Sequence, residues 1–265
     1  MRIISWNVNG LRALHRKNQF DGIFSNEPDI VCLQEVKAEK HQLPAELQNV
    51  IGYQSFFDHS KGRKGYSGVG VYVKEGVPSY TVEFGIGFPE LDNEGRSITL
   101  VFKDFIVNTT YFPNGGGGPL RLDFKLRYYD AFLLYIEKHR KNGKSIIFCG
   151  DVNTAHTEID LARPKENSTT TGFLPIERAW IDRVVAAGYV DAFRYLQPEA
   201  KDVYTYWDMK TFARERNVGW RIDYFFISKD LLPRLSRVDT MDRMFGSDHC
   251  PLVLHIKDTS KGYAS

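Results

Sequence analysis

The chain has 265 residues, 42% of them hydrophobic and 26% charged, with a formal net charge of +2. A chain of this length buries about three quarters of its unfolded surface in one core, so no stapling device is required. A protein that coats nucleic acid is usually more basic, so charge alone says little about partners and any surface for a polyanion must be local.

In chain order, the first strand-length apolar run is residues 3–6, with no basic-then-apolar leader ahead of it. Further runs occur at 29–33, 67–73, 105–111, 145–149, 222–227 and 251–256. Each is rich in β-branched or aromatic residues, and several lack alternation, the pattern of strands covered on both faces. Between them, residues 119–143 predict a helix with Leu122, Leu126, Tyr129, Leu133 and Ile136 as one apolar stripe, Pro119 in the first turn and Gly143 at the C-terminal cap. A second helix is predicted from Pro175 to Ala187, closed by Gly188. The Gly115–Gly118 run reads as a flexible loop before a helix and a candidate phosphate cradle, although it lacks the following Lys-Ser/Thr of a P-loop. Cys32, Cys149 and Cys250 sit in apolar runs without CxxC spacing, which points to a reducing compartment and away from structural zinc. No run spans a bilayer. The expectation is a single α/β catalytic domain over 1–257, a polar tail over 258–265, a cytoplasmic location, no membrane partner and a monomer.

The informative feature lies at the ends of the strands. Asn7 and Asn9 end the first, Glu35 comes just after the second, and Asp151 and Asn153 come just after the run at 145–149. Asp223 opens a strand, and Asp248 and His249 precede the last. Singly, each is ordinary: a turn, a cap, a surface carboxylate. Together they form a set suited to phosphodiester hydrolysis, which needs a cation, an activated water and donors for developing negative charge. Glu35, with Asp248, offers hard oxygen ligands for Mg²⁺, with Mn²⁺ as a substitute. Asp151 is the candidate base, Asn7 and Asn153 are candidate amide donors to phosphate, and Asp223 is placed to orient His249.

With those residues in view, the sequence resembles the exonuclease III family of apurinic/apyrimidinic (AP) endonucleases. The motifs are SWNVNGLRA (5–13), CLQEVK (32–37), GYSGVGVY (65–72), EGR (94–96), YFPNG (111–115), GDVNTAH (150–156), EIDLARPKEN (158–167), GFLPIERAWID (172–182), NVGWRIDYF (217–225) and GSDHCP (246–251). The resemblance implies a four-layer, deoxyribonuclease I-like α/β sandwich of two mixed sheets packed face to face, with helices outside. It also implies Mg²⁺-dependent hydrolysis 5′ to abasic sites in duplex DNA, with 3′-end trimming as a companion activity. By position, Glu35 matches the metal ligand, Asp151 the base or leaving-group acid, Asn153 and His249 the phosphate-holding pair, and Asp223 the histidine's partner. Tyr111 and Asn114 also match active-site positions, and activation by Asp151 or by Tyr111 stays open. Asn9 stands where many members carry aspartate, which removes one carboxylate beside the metal. Gly117 stands where some relatives place an arginine.

Tyr206, Trp220 and Ile222 match the wall of a pocket for a base-less sugar, although bulky rings are more often core. Arg12, Lys37, Arg63, Lys64, Tyr66, Arg121, Asn167 and Lys210 are candidate contacts to double-stranded DNA. Two other functions remain open from the sequence: a same-fold phosphatase or phosphodiesterase on another ester, and a catalytically silent DNA-binding module.

Overall fold

The computed structural model describes residues 1–257, so the expected polar tail at 258–265 lies outside the described residues. Among the described residues twelve strands form two six-stranded sheets. They are β1 (Arg2–Asn7), β2 (Ile30–Gln34), β3 (Tyr53–Asp58), β4 (Val69–Lys74), β5 (Tyr80–Phe84), β6 (Ser97–Phe102), β7 (Phe105–Thr110), β8 (Ser145–Asp151), β9 (Tyr189–Asp191), β10 (Asp223–Ser228), β11 (Leu235–Thr240) and β12 (Leu252–Ile256). Six α-helices accompany them among these residues: α1 (Leu11–Arg16), α2 (Ala45–Gln48), α3 (Pro89–Asp92), α4 (Pro119–Lys141), α5 (Pro175–Ala186) and α6 (Ala192–Leu196).

The first sheet runs β11-β12-β1-β2-β4-β3 and the second β5-β6-β7-β8-β10-β9. Each contains one parallel pair at its centre, β1 with β2 and β7 with β8, flanked by antiparallel neighbours. Adding six to each strand number of the first sheet, counted round the twelve, gives the order of the second, so both take the same path. The two sheets meet face to face through Ile3, Cys32, Val71 and Leu254 from one and Leu100, Val107, Cys149 and Phe225 from the other. On the outer face of the second sheet, Ile106, Phe148 and Phe226 pack against Tyr129, Phe132, Trp180 and Ile181 of α4 and α5. On the outer face of the first, Ile4, Trp6 and Leu33 pack against Leu11 and Leu14 of α1 and Leu47 of α2. This is the expected four-layer sandwich. Apolar faces of sheet and helix are each covered, and the central strands are buried on both sides.

The expected strands are present. Five more were not singled out from sequence: β3, β5, β6, β9 and β11. Four of these, β3, β5, β9 and β11, are sheet edges. β3 and β5 are largely half-buried or exposed and carry polar residues, which breaks up the apolar signal.

The long helix α4 forms as predicted, but its buried face is rotated. Lys125, Tyr128, Tyr129, Ala131, Phe132, Ile136 and His139 are the buried positions, whereas Leu122, Leu126 and Leu133 are half-buried. The helix therefore carries a lysine and a histidine on its inner side, which a stripe of leucines does not predict. Gly115 is also more than a flexible linker: it is buried, and a Cβ there would lie 2.3 Å from Thr171 Oγ1.

Candidate active site

The polar strand ends converge at one end of the sandwich. β1 and β2 are parallel with Asn7 opposite Gln34, so Asn7 and Glu35 emerge side by side from the first sheet. In the second sheet Asp223 lies opposite Asp151 in the antiparallel β8–β10 pair. Glu35, Lys37 and Asn153 have φ of +53°, +54° and +56°, so sharp left-handed turns re-aim the chain directly after strands β2 and β8. At Gly150 a Cβ would lie 2.0 Å from the Thr110 carbonyl oxygen, so only glycine permits the β7–β8 contact that seats Asp151.

Asn7 joins the two sheets. It is fully buried, and its Nδ2 donates to Glu35 Oε1 at 2.8 Å and to Asp151 Oδ2 at 2.9 Å. Both amide hydrogens are thereby used, which corrects the expectation that Asn7 donates to a phosphate. Asn153 behaves similarly. Its backbone N–H donates to Asp151 Oδ1 at 2.8 Å, and its Nδ2 donates to the Phe112 carbonyl at 2.9 Å and to Asp151 Oδ2 at 3.2 Å. Its Oδ1 accepts from Asn114 Nδ2 at 3.0 Å. Asn153 therefore orients Asp151, and the exposed Asn114 is the amide with a hydrogen to spare.

His249 Nδ1 and Asp223 Oδ2 are 2.8 Å apart, and His249 Nε2 faces Asp151 Oδ2 at 3.9 Å. The Trp6 indole N–H holds the His249 carbonyl at 3.1 Å. Burial disfavours charge on the imidazole, but the charge and hydrogen bond of Asp223, helped by Asp151 and Asp248, push it up to about 10. Burial also pushes the Asp151 carboxyl up, to about 7, with Asp223 and Glu35 adding to the rise and His249 opposing it. Burial acts the same way on Glu35, yet Lys37 and the Asn7 amide outweigh it and hold that carboxyl below its ordinary range. Tyr111, buried against Arg96 at 4.6 Å from guanidinium carbon to ring centroid, has its hydroxyl pushed well up by burial and by the charge of Glu35.

Lys37 stands among the expected metal ligands. Its Nζ is 2.8 Å from Glu35 Oε2 and donates to Asn9 Oδ1. Asn9 Nδ2 in turn donates to Asp248 Oδ1 at 2.9 Å. Glu35, Asp151 and His249 each present a ligating atom within 4.8 Å of the others. An imidazolium has no lone pair, so the oxygens are the better donors of this set. Oxygens already gathered round a fixed ammonium suit a hard divalent cation.

A cleft of about 450 Å³ opens over this cluster. Among the expected site residues, Asn9, Glu35, Tyr111, Asn114, Asp151, Asn153, Tyr206, Trp220, Ile222, Asp248 and His249 line it, while Asn7 and Asp223 lie buried beneath. Trp220 and Tyr206 are half-buried wall residues and not core rings. Thr171, Gly172 and Asp208 also line the cleft and were not singled out from sequence.

A neighbouring hollow shares Tyr111 and Asn114 and contains Arg63, Tyr66, Glu94 and Arg121. Here Glu94 was missed. Its carboxylate accepts from Arg96 Nε at 2.7 Å and from Arg121 Nη1 and Nη2, both at 2.9 Å, while both arginines also donate to the Tyr66 hydroxyl. Arg121 is thus partly neutralised, and the EGR motif was the available signal. Arg12, Lys64 and Lys210 are exposed, as is Arg63, whose guanidinium carbon lies 4.8 Å from the Tyr66 ring centroid. The Asn167 amide donates to the Arg163 carbonyl at 2.8 Å, a local turn contact.

The pattern of the Endonuclease/Exonuclease/phosphatase family matches residues 4–249. The chain belongs to this family. Within it, the chain is 42% identical to an exodeoxyribonuclease of Bacillus subtilis over 258 residues, covering 97% of this chain and 99% of the relative. It is 41% identical to the DNA repair nuclease APEX1 of Danio rerio over 260 residues, covering 97% and 82%. The structure superposes on that of an AP endonuclease from Leishmania major with a TM-score of 0.86 at 29% identity, covering 97% and 87%. The resemblance to exonuclease III-type enzymes therefore holds across nearly the whole chain, and the family member is a metal-dependent phosphodiester hydrolase. Among the described residues no helix is long and apolar enough to cross a membrane.

Proposed function

We propose that this protein is a base-excision-repair AP endonuclease, hydrolysing the phosphodiester 5′ to abasic sites in duplex DNA, with 3′-end trimming as a companion activity of the same site. The observation that carries this reading is the pairing of Asp151, poised near neutrality, with a charged His249 beside the cation-facing Glu35. The names of the relatives support DNA as substrate. The wall of Trp220, Tyr206 and Ile222 offers a sugar without its base a patch of rings and aliphatic surface inside an otherwise polar cleft.

Glu35, flanked by the oxygens of Asn9 and Asp248, would hold Mg²⁺, with Mn²⁺ as a substitute. Bound there, the cation supplies positive charge to a phosphate oxygen. His249 donates from Nε2 to another phosphate oxygen, its far side fixed by Asp223. Asn114 donates its remaining amide hydrogen. Asp151 takes the proton of the attacking water as oxygen bonds to phosphorus; the bond from phosphorus to the 3′-oxygen breaks, and that oxygen takes a proton from solvent water to leave as a hydroxyl. A base is most effective with a pKa near the working pH, and Asp151 meets this condition. Tyr111 keeps its proton and serves as a donor, since burial raises its hydroxyl well above neutrality.

A panel of defined duplexes tests the proposal: abasic, 3′-phosphate, recessed-end and intact, each with and without Mg²⁺, beside an inositol phosphate. Mg²⁺-dependent nicking of the abasic duplex alone or with 3′ trimming is the expected result. Turnover restricted to the inositol phosphate, or duplex binding without any cutting, would replace it with one of the two other functions.

A further inference from the structure

Beneath the cleft lies an ion pair that the chemistry above does not use. Lys125 of α4 and Glu177 of α5 are both fully buried, with Nζ to Oε1 at 2.6 Å. Burying two charges is costly, and an apolar pair of similar volume often stabilises a core as well or better. A pair kept at this cost invites the question of what else it holds.

Each partner reaches a different segment of the cleft. Lys125 Nζ also donates to the Asn153 carbonyl at 2.7 Å and to Thr154 Oγ1 at 2.9 Å, so all three ammonium hydrogens are used. One turn along the same helix, the Tyr129 hydroxyl donates to the Val152 carbonyl at 2.8 Å. Glu177 Oε1 accepts from Thr171 Oγ1 at 2.8 Å, and its Oε2 accepts from the Gly172 N–H at 2.6 Å and the Leu174 N–H at 3.1 Å. The two segments are tied to each other by the Ala155 N–H on the Gly172 carbonyl at 2.8 Å. One segment carries Asn153, which donates to both oxygens of Asp151; the other contributes Thr171 and Gly172 to the wall.

We propose that Lys125 and Glu177 are positioning residues. Their pair sets the left-handed turn at Asn153 in register with the Thr171–Gly172 wall, and through Asn153 it aims the Asp151 carboxylate. Neither residue touches substrate. The inference rests on the proposed abasic-site activity and deepens it by naming what holds the base still. Because the pair acts on the reacting geometry and not on the DNA-facing surface, it governs the rate of the bond-breaking step more than duplex affinity. Misplacement of a reacting group by about 1 Å can cost on the order of 10²-fold.

The test uses the double variant Lys125→Met/Glu177→Gln, close in shape and free of unpaired charge. Single-turnover cutting of an abasic duplex is measured beside the duplex Kd, at a temperature where circular dichroism shows both proteins folded. The expected result is a rate at least tenfold below the unaltered enzyme, with Kd within threefold. An unchanged rate, or a loss confined to Kd, overturns the inference. Should the double variant not fold, Glu177→Asp, which keeps the charge but withdraws it by one methylene, carries the test, with a rate loss of threefold or more at unchanged Kd expected and the same overturning results. The unaltered enzyme is run in parallel. If it leaves the abasic duplex whole, the proposed function fails; if it cuts and the variant matches it, only the positioning role fails.

Discussion

The ammonium of Lys37 lies 2.8 Å from Glu35 Oε2 and also donates to Asn9, so a fixed positive charge sits among the oxygens expected to hold a divalent ion. Two like charges a few ångströms apart repel by roughly 1–4 kcal/mol, depending on local screening. Replacing Lys37 with Met should therefore tighten Mn²⁺ or Mg²⁺ binding by about tenfold, since about 1.4 kcal/mol is one decade. Isothermal titration of the DNA-free protein reads this directly, and equal or weaker binding would contradict it.

Asp151→Asn should lose about 10²–10⁴-fold in cutting rate while binding duplex normally, since the lost step is proton transfer. The same variant carries a stability signature. The Asp151 carboxyl is raised to about 7 when folded, above its ordinary value of about 3.9. Between those two values the folded state holds the extra proton, so stability falls as pH rises through that window. Asparagine has no such penalty. The Tm of the variant should match the parent near pH 4 and exceed it increasingly up to pH 7; a constant offset across that range would count against the shift.

The rate itself should depend on pH in the same sense. Cutting at saturating Mg²⁺ should rise as Asp151 deprotonates near pH 7 and decline toward pH 10 as His249 loses its proton. A kcat/KM profile that is flat from pH 6 to 8 would exclude Asp151 as the base.

Asp160 makes a separate, structural prediction. It accepts from Arg221 Nε at 2.8 Å and from Arg194 Nη2 at 2.7 Å, and Arg221 also pairs with Asp191 at 2.7 Å. Burial opposes its charge, but the two arginines hold its carboxyl well below the carboxylate range. Its contribution is thus complete above about pH 4, the unfolded value, and is lost as pH falls toward the folded one. Asp160→Asn should cost about 3 kcal/mol in urea unfolding at pH 7, since breaking one side of a buried pair strands the arginine. The loss should shrink below pH 3. A loss under ~1 kcal/mol would refute the argument.

Much of this site was legible because its residues adjoin apolar strands: Asn7, Glu35, Asp151 and His249 each stand at the end of a recognisable run. Their family order gave the rest. What the sequence did not disclose depends on pairing across space. Lys125 interrupts an apolar helix face, and only its partner 52 residues on explains why a charge is tolerated there. Glu94 reads as a surface acid until Arg96 and Arg121 close on it. The edge strands β3 and β5 were missed because one side of each lacks a neighbour and their side chains are half-buried or exposed, which mixes polar residues into the run. Asn7 shows the opposite case: fully buried, it bridges two carboxylates where an exposed strand end suggested a phosphate donor.

The shared path of the two sheets has an outcome for synthesis. Strands β5 and β6 leave the first half of the chain to complete the second sheet, and β11 and β12 return from the second half to complete the first. The halves are interlocked like clasped hands. A nascent chain released before residue 249 lacks the imidazole, and one released before 252 also lacks the strand that pairs with Arg2–Ser5. Chains cut short before residue 252 should therefore lack nuclease activity. Scissors acquire an edge only when the last hairpin is home.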